Sequence, residues 1–384
     1  MDTHYLYLDH AAATPLDERV LAAMQPFFSE RFYNPSSPYA PAVTVRRAFE
    51  DAKHRLASAI GAKPDEITMT AGATESINLM AAAVSGHVVT SAIEHPAVLE
   101  AIKTHPHTLV QPTAQGIITA AAVAAAIRSD TELVSIQLAN NEIGTIQPLR
   151  DIATVVRAER MRRAETGESR PIYFHSDASQ GVGQIDCYTA RLGVDALTLN
   201  AGKIYGPKQV GLLWAASHVV LNPLIVGGGQ ERGLRSGTEN VAGTVGFAAA
   251  LELATAHRGG ESKRLAGLRD QLQQQLVDAF PEAIISGHPK KRLPGHLHIS
   301  FPNIDAERLL FMLESNGVLV ATGSACAANK GTRSHVLAAI GLAPEVADGS
   351  IRITIGRASN GETVARAFGI MKTVIMTEKA RVSP

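Results

Sequence analysis

The chain has 384 residues, of which 45% are hydrophobic and 19% are charged. A chain of this length and composition can bury a large core and is expected to form two domains. Its 36 basic residues balance 36 acidic residues, and no long run of one charge occurs. We therefore expect neither nucleic acid nor a membrane surface to be its main ligand.

Two cysteines, Cys187 and Cys326, lie far apart in the sequence. Their spacing fits neither a metal site nor a disulfide framework. We therefore expect no bound metal, and we expect the protein to work in a reducing compartment. The first residues do not resemble a signal sequence, and the longest apolar runs are too short to cross a bilayer. These features predict a cytoplasmic protein.

Strand and helix patterns alternate through the first 250 residues. Apolar runs predict strands near 66–70, 87–91, 107–111, 133–138, 172–176, 195–199 and 210–214, and periodic segments predict helices near 17–30, 45–59, 77–84, 120–129 and 148–163. Such alternation is typical of an α/β fold with a mostly parallel sheet. Beyond residue 250 the pattern indicates a smaller α+β domain. We predict a large domain at 15–250 and a small domain formed by 1–14 and 251–384.

Polar residues follow four of the predicted strands. His95, Asn141 and Lys203 come just after strands, while Asp177 and Gln180 follow the strand at 172–176. Carboxyl ends of parallel strands meet at one edge of a sheet, where ligands bind, so these side chains are expected to lie together. Each has a structural alternative as a helix cap, turn residue or ion-pair partner.

Lys203 is the candidate nucleophile, because it leaves a buried strand among small residues. A lysine removed from water can attack carbonyl carbons and form a Schiff base. The alternative is a solvated lysine in a turn rich in Gly and Pro.

Three further stretches carry candidate chemistry. The turn at 72–76 feeds a helix and suits a phosphate, with Thr74 as a donor, although a simple helix cap is the alternative. Loop 227–238 combines glycines with two arginines and suits an anion or a subunit contact. Cys326 lies in a loop of small residues and is a candidate thiol nucleophile, whereas Cys187 is expected to be structural.

Taken together, these stretches resemble the cysteine desulfurases, which are fold type I pyridoxal-phosphate (PLP) enzymes of the class V aminotransferase group. The resemblance covers nearly the whole chain and implies a PLP-transferase large domain with a smaller α+β domain. The matching segments are Tyr7-Leu8-Asp9, Asn34-Pro35-Ser36-Ser37, Gly72-Ala73-Thr74-Glu75-Ser76, Glu94-His95, Asn140-Asn141-Glu142-Ile143-Gly144, Asp177-Ala178-Ser179-Gln180, Lys203-Ile204-Tyr205-Gly206-Pro207-Lys208, 229–238, Gly323-Ser324-Ala325-Cys326 and Ser350-Ile351-Arg352.

The resemblance assigns residues around the PLP ring. It implies that Lys203 forms the Schiff base and later moves the proton at the substrate Cα. Asp177 would pair with the pyridinium nitrogen, and His95 would stack on the ring. Gln180 and Asn141 would lie near the ring hydroxyl or the substrate.

The resemblance also implies which residues bind the phosphate, bind the substrate and accept the sulfur. Ala73, Thr74 and Asn200 would bind the phosphate, and Thr238 would reach the phosphate in the other subunit of a homodimer. Arg352 would bind the carboxylate of L-cysteine. Cys326, as a thiolate, would attack the substrate sulfur, leaving a persulfide and alanine.

One departure from the family pattern lies beside the lysine. Gly202 stands where the family usually has a histidine that donates to the phosphate, so one hydrogen bond to the cofactor is expected to be missing. Because hydrogen bonds to charged groups contribute about 1.5–3 kcal/mol, the loss would weaken cofactor binding by about one to two powers of ten.

Three functions remain open at this point. The first is a cysteine desulfurase that delivers sulfur to an acceptor protein, either an iron–sulfur cluster scaffold or a tRNA-thiolation relay. The second is a selenocysteine lyase or another PLP β-lyase, which would not need Cys326. The third is a non-catalytic scaffold, which Gly202 suggests. The joint presence of five candidate catalytic and binding residues disfavours it: Lys203, Asp177, His95, Cys326 and Arg352.

Overall fold

A seven-stranded sheet forms the centre of the computed structural model, which describes residues 5–323 and 333–382. The described strands are β1 (Leu6–Tyr7), β2 (Ile67–Thr70), β3 (His87–Ser91), β4 (His107–Val110), β5 (Thr131–Ser135), β6 (Tyr173–Asp177), β7 (Ala196–Asn200), β8 (Gly211–Ala215), β9 (Ile284–Ile285), β10 (His296–Ser300), β11 (Val318–Leu319) and β12 (Ser350–Thr354). The large sheet has the order β2-β8-β7-β6-β5-β3-β4. Strands β7, β6, β5, β3 and β4 pair in parallel, whereas β8 is antiparallel to both β2 and β7. The predicted α/β class with a mostly parallel sheet is confirmed.

Helices cover both faces of this sheet. The described helices are α1 (Glu18–Met24), α2 (Pro26–Ser29), α3 (Ala40–Ile60), α4 (Ala73–Ala81), α5 (Pro96–Ala101), α6 (Ala120–Ala126), α7 (Leu149–Thr166), α8 (Thr189–Leu192), α9 (Val241–Ala279), α10 (Ala306–Ser315), α11 (His335–Ala339), α12 (Pro344–Ala347) and α13 (Gly361–Val382). The single helix predicted at 17–30 is wrong, because Pro26 lacks the N–H needed to continue α1 and instead begins α2. The strand predicted at 133–138 runs from Thr131 to Ser135. No described helix is both long and apolar enough to span a membrane.

The large sheet is buried on both faces, as neighbouring residues of β5 show. Val134 belongs to the core under α3 and α7, while Leu133 belongs to the core under α4. Successive side chains of a strand point to opposite faces, so a sheet between two helical layers needs apolar residues at both positions. This burial accounts for the continuous apolar runs in the sequence.

A second core lies against the three-stranded antiparallel sheet β12-β10-β9. Leu297, Ile299, Ile351 and Ile353 face this core, and Leu8 of the N-terminal segment joins it. The 39-residue helix α9 links the two cores, since its residues up to 254 pack in the first and its residues from 265 pack in the second. The predicted boundary at 250–251 therefore falls inside a continuous helix, and the division into domains remains a prediction.

Candidate active site

A cavity of ≈ 310 Å³ opens at the carboxyl ends of β3, β5, β6 and β7. Its size is within the range of small-molecule sites. Nine residues singled out from the sequence line it: Ala73, Thr74, His95, Asn141, Asp177, Gln180, Asn200, Lys203 and Arg352. The fold brings together side chains that are up to 279 positions apart, from Ala73 to Arg352. Arg352, on β12, closes the cavity from the side of the small sheet.

Lys203 lies at the end of a short 3-10 turn that follows β7. The Asn200 Oδ1 atom accepts a hydrogen bond from Gly202 N at 3.0 Å, which starts the turn. The Lys203 Nζ atom donates to the carbonyl oxygens of Ala11 and Ala12, at 2.8 and 2.7 Å. The Gln180 side chain also donates to Ala11 O, at 3.0 Å. The N-terminal segment thus positions the lysine, and the alternative of a solvated turn lysine is wrong.

Asp177 ends β6 with its carboxylate at the cavity. Its Oδ1 atom accepts from Ser179 N at 2.9 Å and from Ser179 Oγ at 2.6 Å, so it forms the Asx turn considered from the sequence and still lines the cavity. His175 lies two residues earlier, bonded to the hydroxyls of Ser135 and Thr198, and burial lowers its pKa to about 4. A neutral imidazole behind Asp177 leaves the carboxylate as an acceptor for a protonated ring nitrogen.

His95 caps α5 and also faces the cavity. Its Nδ1 atom accepts from Ala97 N at 3.1 Å, which places the proton of the neutral ring on Nε2. Burial lowers the pKa of His95, and the nearby Asp177 carboxylate only partly opposes this shift. The cap uses only the ring edge, so the flat face of a neutral imidazole remains suited to stack on an aromatic ligand.

The N-terminus of α4 forms an anion cradle at one end of the cavity. Gly72 precedes the helix with φ 137°, a backbone conformation that favours glycine. A Cβ atom at Gly211 would lie 2.7 Å from Gly72 Cα, so glycine is needed there for the two backbones to approach. Ala73 and Thr74 line the cavity in the first turn, whose N–H groups have no carbonyl partner within the helix.

Loop 227–238 fixes this cradle from outside the cavity. Arg235 Nε donates to Glu75 Oε1 at 3.0 Å, and Glu75 Oε2 accepts from Ala71 N at 2.7 Å. Arg232 donates to Ile67 O. Both arginines therefore bind groups of their own chain. Thr238 is exposed and does not line the cavity of this chain, so its contact with the other subunit remains a prediction.

Arg352 has the geometry of a carboxylate-binding group. Its side chain is only 3% exposed; Nη2 donates to Asp9 Oδ1 at 2.6 Å and Nη1 to the carbonyl oxygen of Asn141 at 3.1 Å. A guanidinium has five N–H groups, so donors remain for a bidentate ligand. The ion pair with Asp9 orients the guanidinium.

Four contributors to this site were not predicted as site residues: Asp9, Thr14, His175 and Ser179. Asp9 and Ser179 lie in stretches already recognised by resemblance, so their chemistry alone could have suggested a role. Thr14 carried no signal, since only the fold brings its hydroxyl to the backbone of Gly202 and Tyr205 beside Lys203. His175 lies on the same strand as Asp177, but a histidine inside a buried strand gave no indication of a role. Cys326 lies outside the described residues.

The fold and the cavity define an α/β enzyme that presents a lysine, a carboxylate and an arginine to a small anionic ligand. The family model for aminotransferase class-V matches residues 6–366. Cysteine desulfurase IscS of Dictyoglomus turgidum is 39% identical over 99% of this chain and 96% of its own. The cysteine desulfurase of Mus musculus is 37% identical over 94% of this chain and 79% of its own.

Solved structures agree with these relatives. A NifS-like protein superposes with a TM-score of 0.88 at 34% identity, covering 97% of this chain and 100% of the other. SspA in complex with cysteine superposes with a TM-score of 0.77 at 34% identity, covering 91% and 98%. The chain therefore belongs to the aminotransferase class-V family, within its group of cysteine desulfurases.

Proposed function

We propose that this chain is a PLP-dependent cysteine desulfurase that converts L-cysteine to L-alanine and keeps the sulfur as a persulfide on Cys326. The observation that carries the proposal is one cavity holding Lys203, Asp177 and Arg352 beside an anion cradle. Relatives named cysteine desulfurase support the choice of substrate over the lyase and scaffold alternatives.

The residues of the cavity fit PLP. Asp177 would accept from the protonated pyridine nitrogen, and His95 would lie against the ring. Ala73, Thr74 and Asn200 would bind the phosphate at the N-terminus of α4. Bound there through Lys203, PLP supplies an electron sink for a carbanion at the substrate Cα.

The chain's own groups then carry the remaining chemistry. Arg352 would bind the carboxylate of L-cysteine and orient its Cα–H bond. Lys203 would accept the Cα proton and return it to carbon. The Cys326 thiolate would attack the substrate sulfur: a new S–S bond forms, the C–S bond breaks, and its electron pair remains with carbon, which takes up a proton. The products are alanine and a persulfide on Cys326.

A homodimer and a sulfur acceptor complete the proposal. Leu224, Ile225 and Val226 are 47%, 41% and 77% exposed, and they directly precede loop 227–238 with exposed Thr238. An exposed apolar run beside this loop suits an interface with a second copy of the chain. Sedimentation equilibrium would measure whether the protein is a dimer. The acceptor would be a cluster scaffold or a thiolation relay, identified by transfer of labelled sulfur from the persulfide.

The first test is the visible spectrum of the purified protein, followed by addition of L-cysteine. We expect a cofactor band that changes with cysteine, and alanine and sulfide in equal amounts when a thiol reductant is present. The Cys326→Ala variant should keep the band and lose sulfide release. Selenocysteine turnover that survives in this variant would instead favour a lyase, and no band after adding PLP would favour a scaffold.

A further inference from the structure

Thr14 contacts the backbone on both sides of Lys203. Its Oγ1 atom donates to the carbonyl oxygen of Gly202 at 3.1 Å and accepts from Tyr205 N at 2.8 Å. A hydroxyl has one donor hydrogen and acceptor lone pairs, so both capacities are used here. The side chain is buried, with the residue 3% exposed. One hydroxyl therefore joins the residue before Lys203 to the residue two positions after it.

The turn at 202–205 needs such a support. Gly202 has no side chain to restrict its backbone, and Tyr205 adopts φ 64°, a left-handed conformation that is unfavourable for a residue other than glycine. Strained backbone persists only where neighbouring groups fix it. The Tyr205 carbonyl is also bound, by Asp17 N at 3.0 Å, so the segment from Thr14 to Asp17 fixes both ends of the strained residue.

We propose that Thr14 is a positioning residue for Lys203, and that its hydroxyl sets the direction from which the lysine amine reaches the substrate Cα. The inference rests on the proposed function for its catalytic consequence. Arg352 binds the substrate carboxylate from another sheet, so loss of the Thr14 hydroxyl displaces the amine relative to Cα without removing the carboxylate site.

The test compares Thr14→Val, which has nearly the same shape without the hydroxyl, with Thr14→Ser, which keeps it. In the holoenzyme we expect Thr14→Val to lower kcat for L-cysteine about tenfold, with KM changed by less than about twofold. The isotope effect on kcat with L-cysteine deuterated at Cα should rise, because proton transfer becomes slower. Thr14→Ser should retain most of the wild-type kcat and the wild-type isotope effect.

Thr189→Val provides the matched control. Thr189 is also buried, and its hydroxyl donates to Gly61 O at 3.3 Å. Neither Thr189 nor Gly61 lines the cavity. This variant should lose thermal stability without changing the isotope effect. If Thr14→Val behaves like Thr189→Val, or lowers kcat with an unchanged isotope effect, the positioning role is wrong.

A second variant tests the same idea by restoring rigidity. A Cβ atom at Gly202 would have its nearest neighbour, Asn200 Oδ1, at 3.4 Å, so alanine fits there and restricts the turn. Adding Gly202→Ala to Thr14→Val should recover part of the lost kcat and lower the isotope effect again. No recovery of either value would overturn the proposal.

The two proposals can fail separately. A wild-type protein that forms no alanine from L-cysteine would refute the desulfurase function. Thr14 would then be judged by the visible circular dichroism of PLP bound at Lys203, which reports the ring orientation without turnover. A weakened signal in Thr14→Val and a wild-type signal in Thr14→Ser would support the positioning role, and equal signals in all three proteins would reject it.

Discussion

Gly202 shows how one missing side chain can change a binding site without changing the fold. The nearest atom to a Cβ placed there is Asn200 Oδ1, at 3.4 Å, and Asn200 lines the cavity. A side chain at position 202 would therefore start beside Asn200, at the end of the cavity where the phosphate is proposed to bind, although Gly202 itself does not line the cavity. The structure leaves room for a donor that the sequence does not supply.

Gly202→His should tighten PLP binding about tenfold, because a hydrogen bond to a charged phosphate is among the stronger ones in proteins. The measurement is the dissociation constant of PLP, obtained from the visible band after reconstitution. Gly202→Ala adds a Cβ without a donor and should leave the constant within about twofold. Equal tightening by alanine and histidine would show that backbone rigidity, and not a donor, is what the chain lacks.

At the scale of whole elements, a buried ion pair and a hydrogen bond hold loop 227–238 to helix α3 and to strand β2. Lys53 Nζ on α3 lies 3.0 Å from Glu231 Oε2, with the two side chains 5% and 4% exposed. The same Glu231 oxygen accepts from Met69 N on β2 at 3.0 Å. One carboxylate thus ties the loop to a helix and a strand, which keeps Arg235 against the phosphate cradle.

Lys53→Met should destabilise the protein by about 3 kcal/mol, because it leaves the Glu231 carboxylate buried without a counter-ion. The free energy of unfolding in urea measures this loss. Lys53→Met combined with Glu231→Gln should recover much of it, since the uncompensated charge is gone. Arg55→Met, which removes a partly exposed pair with Glu252, should change stability by less than about 1 kcal/mol; a similar loss in both single variants would contradict the argument.

The stability of the whole molecule is linked to pH through a carboxyl at the centre of the fold. Glu94 is fully buried at the end of β3; its carboxyl accepts from Ser91 Oγ at 2.6 Å and from Gln137 N at 3.0 Å, and its carbonyl accepts from His335 on α11. Burial raises the pKa of Glu94 from 4.5 to about 8. Between these values the folded chain holds a proton that the unfolded chain releases, so stability falls as pH rises through this window.

Glu94→Gln should flatten this dependence. In the wild type, the Glu94 carboxyl contributes a slope of about 1 kcal/mol per pH unit to the free energy of unfolding between pH 5 and 8. An amide does not titrate in this range and cannot produce such a slope. Unfolding midpoints measured across this range, relative to wild type, give the difference. Glu100→Gln, at an exposed site on the adjacent helix α5, should keep the wild-type slope. An unchanged slope in Glu94→Gln would mean that Glu94 is ionised in the folded protein.

The sequence by itself determined the layers of the fold and the chemistry of the site. Apolar runs specified the strands because a sheet covered on both faces needs apolar side chains at neighbouring positions, as Leu133 and Val134 of β5 show. Polar residues just after strands indicated the cavity, because parallel strands end at one edge. His95, Asp177 and Lys203 follow from this rule without knowledge of any long-range contact.

Only the tertiary structure decided which distant groups support those residues. Pairing of β12 with β10 places Arg352 in the small sheet beside the cavity, and the bridge between Asp9 and Thr354 brings Asp9 to Arg352. The course of the N-terminal segment also brings Thr14 to Lys203. These contacts span 343 and 191 positions for the pairs Asp9–Arg352 and Thr14–Tyr205. Local periodicity carries no information at such separations, since one short polar residue in a turn looks like any other until the chain folds around it.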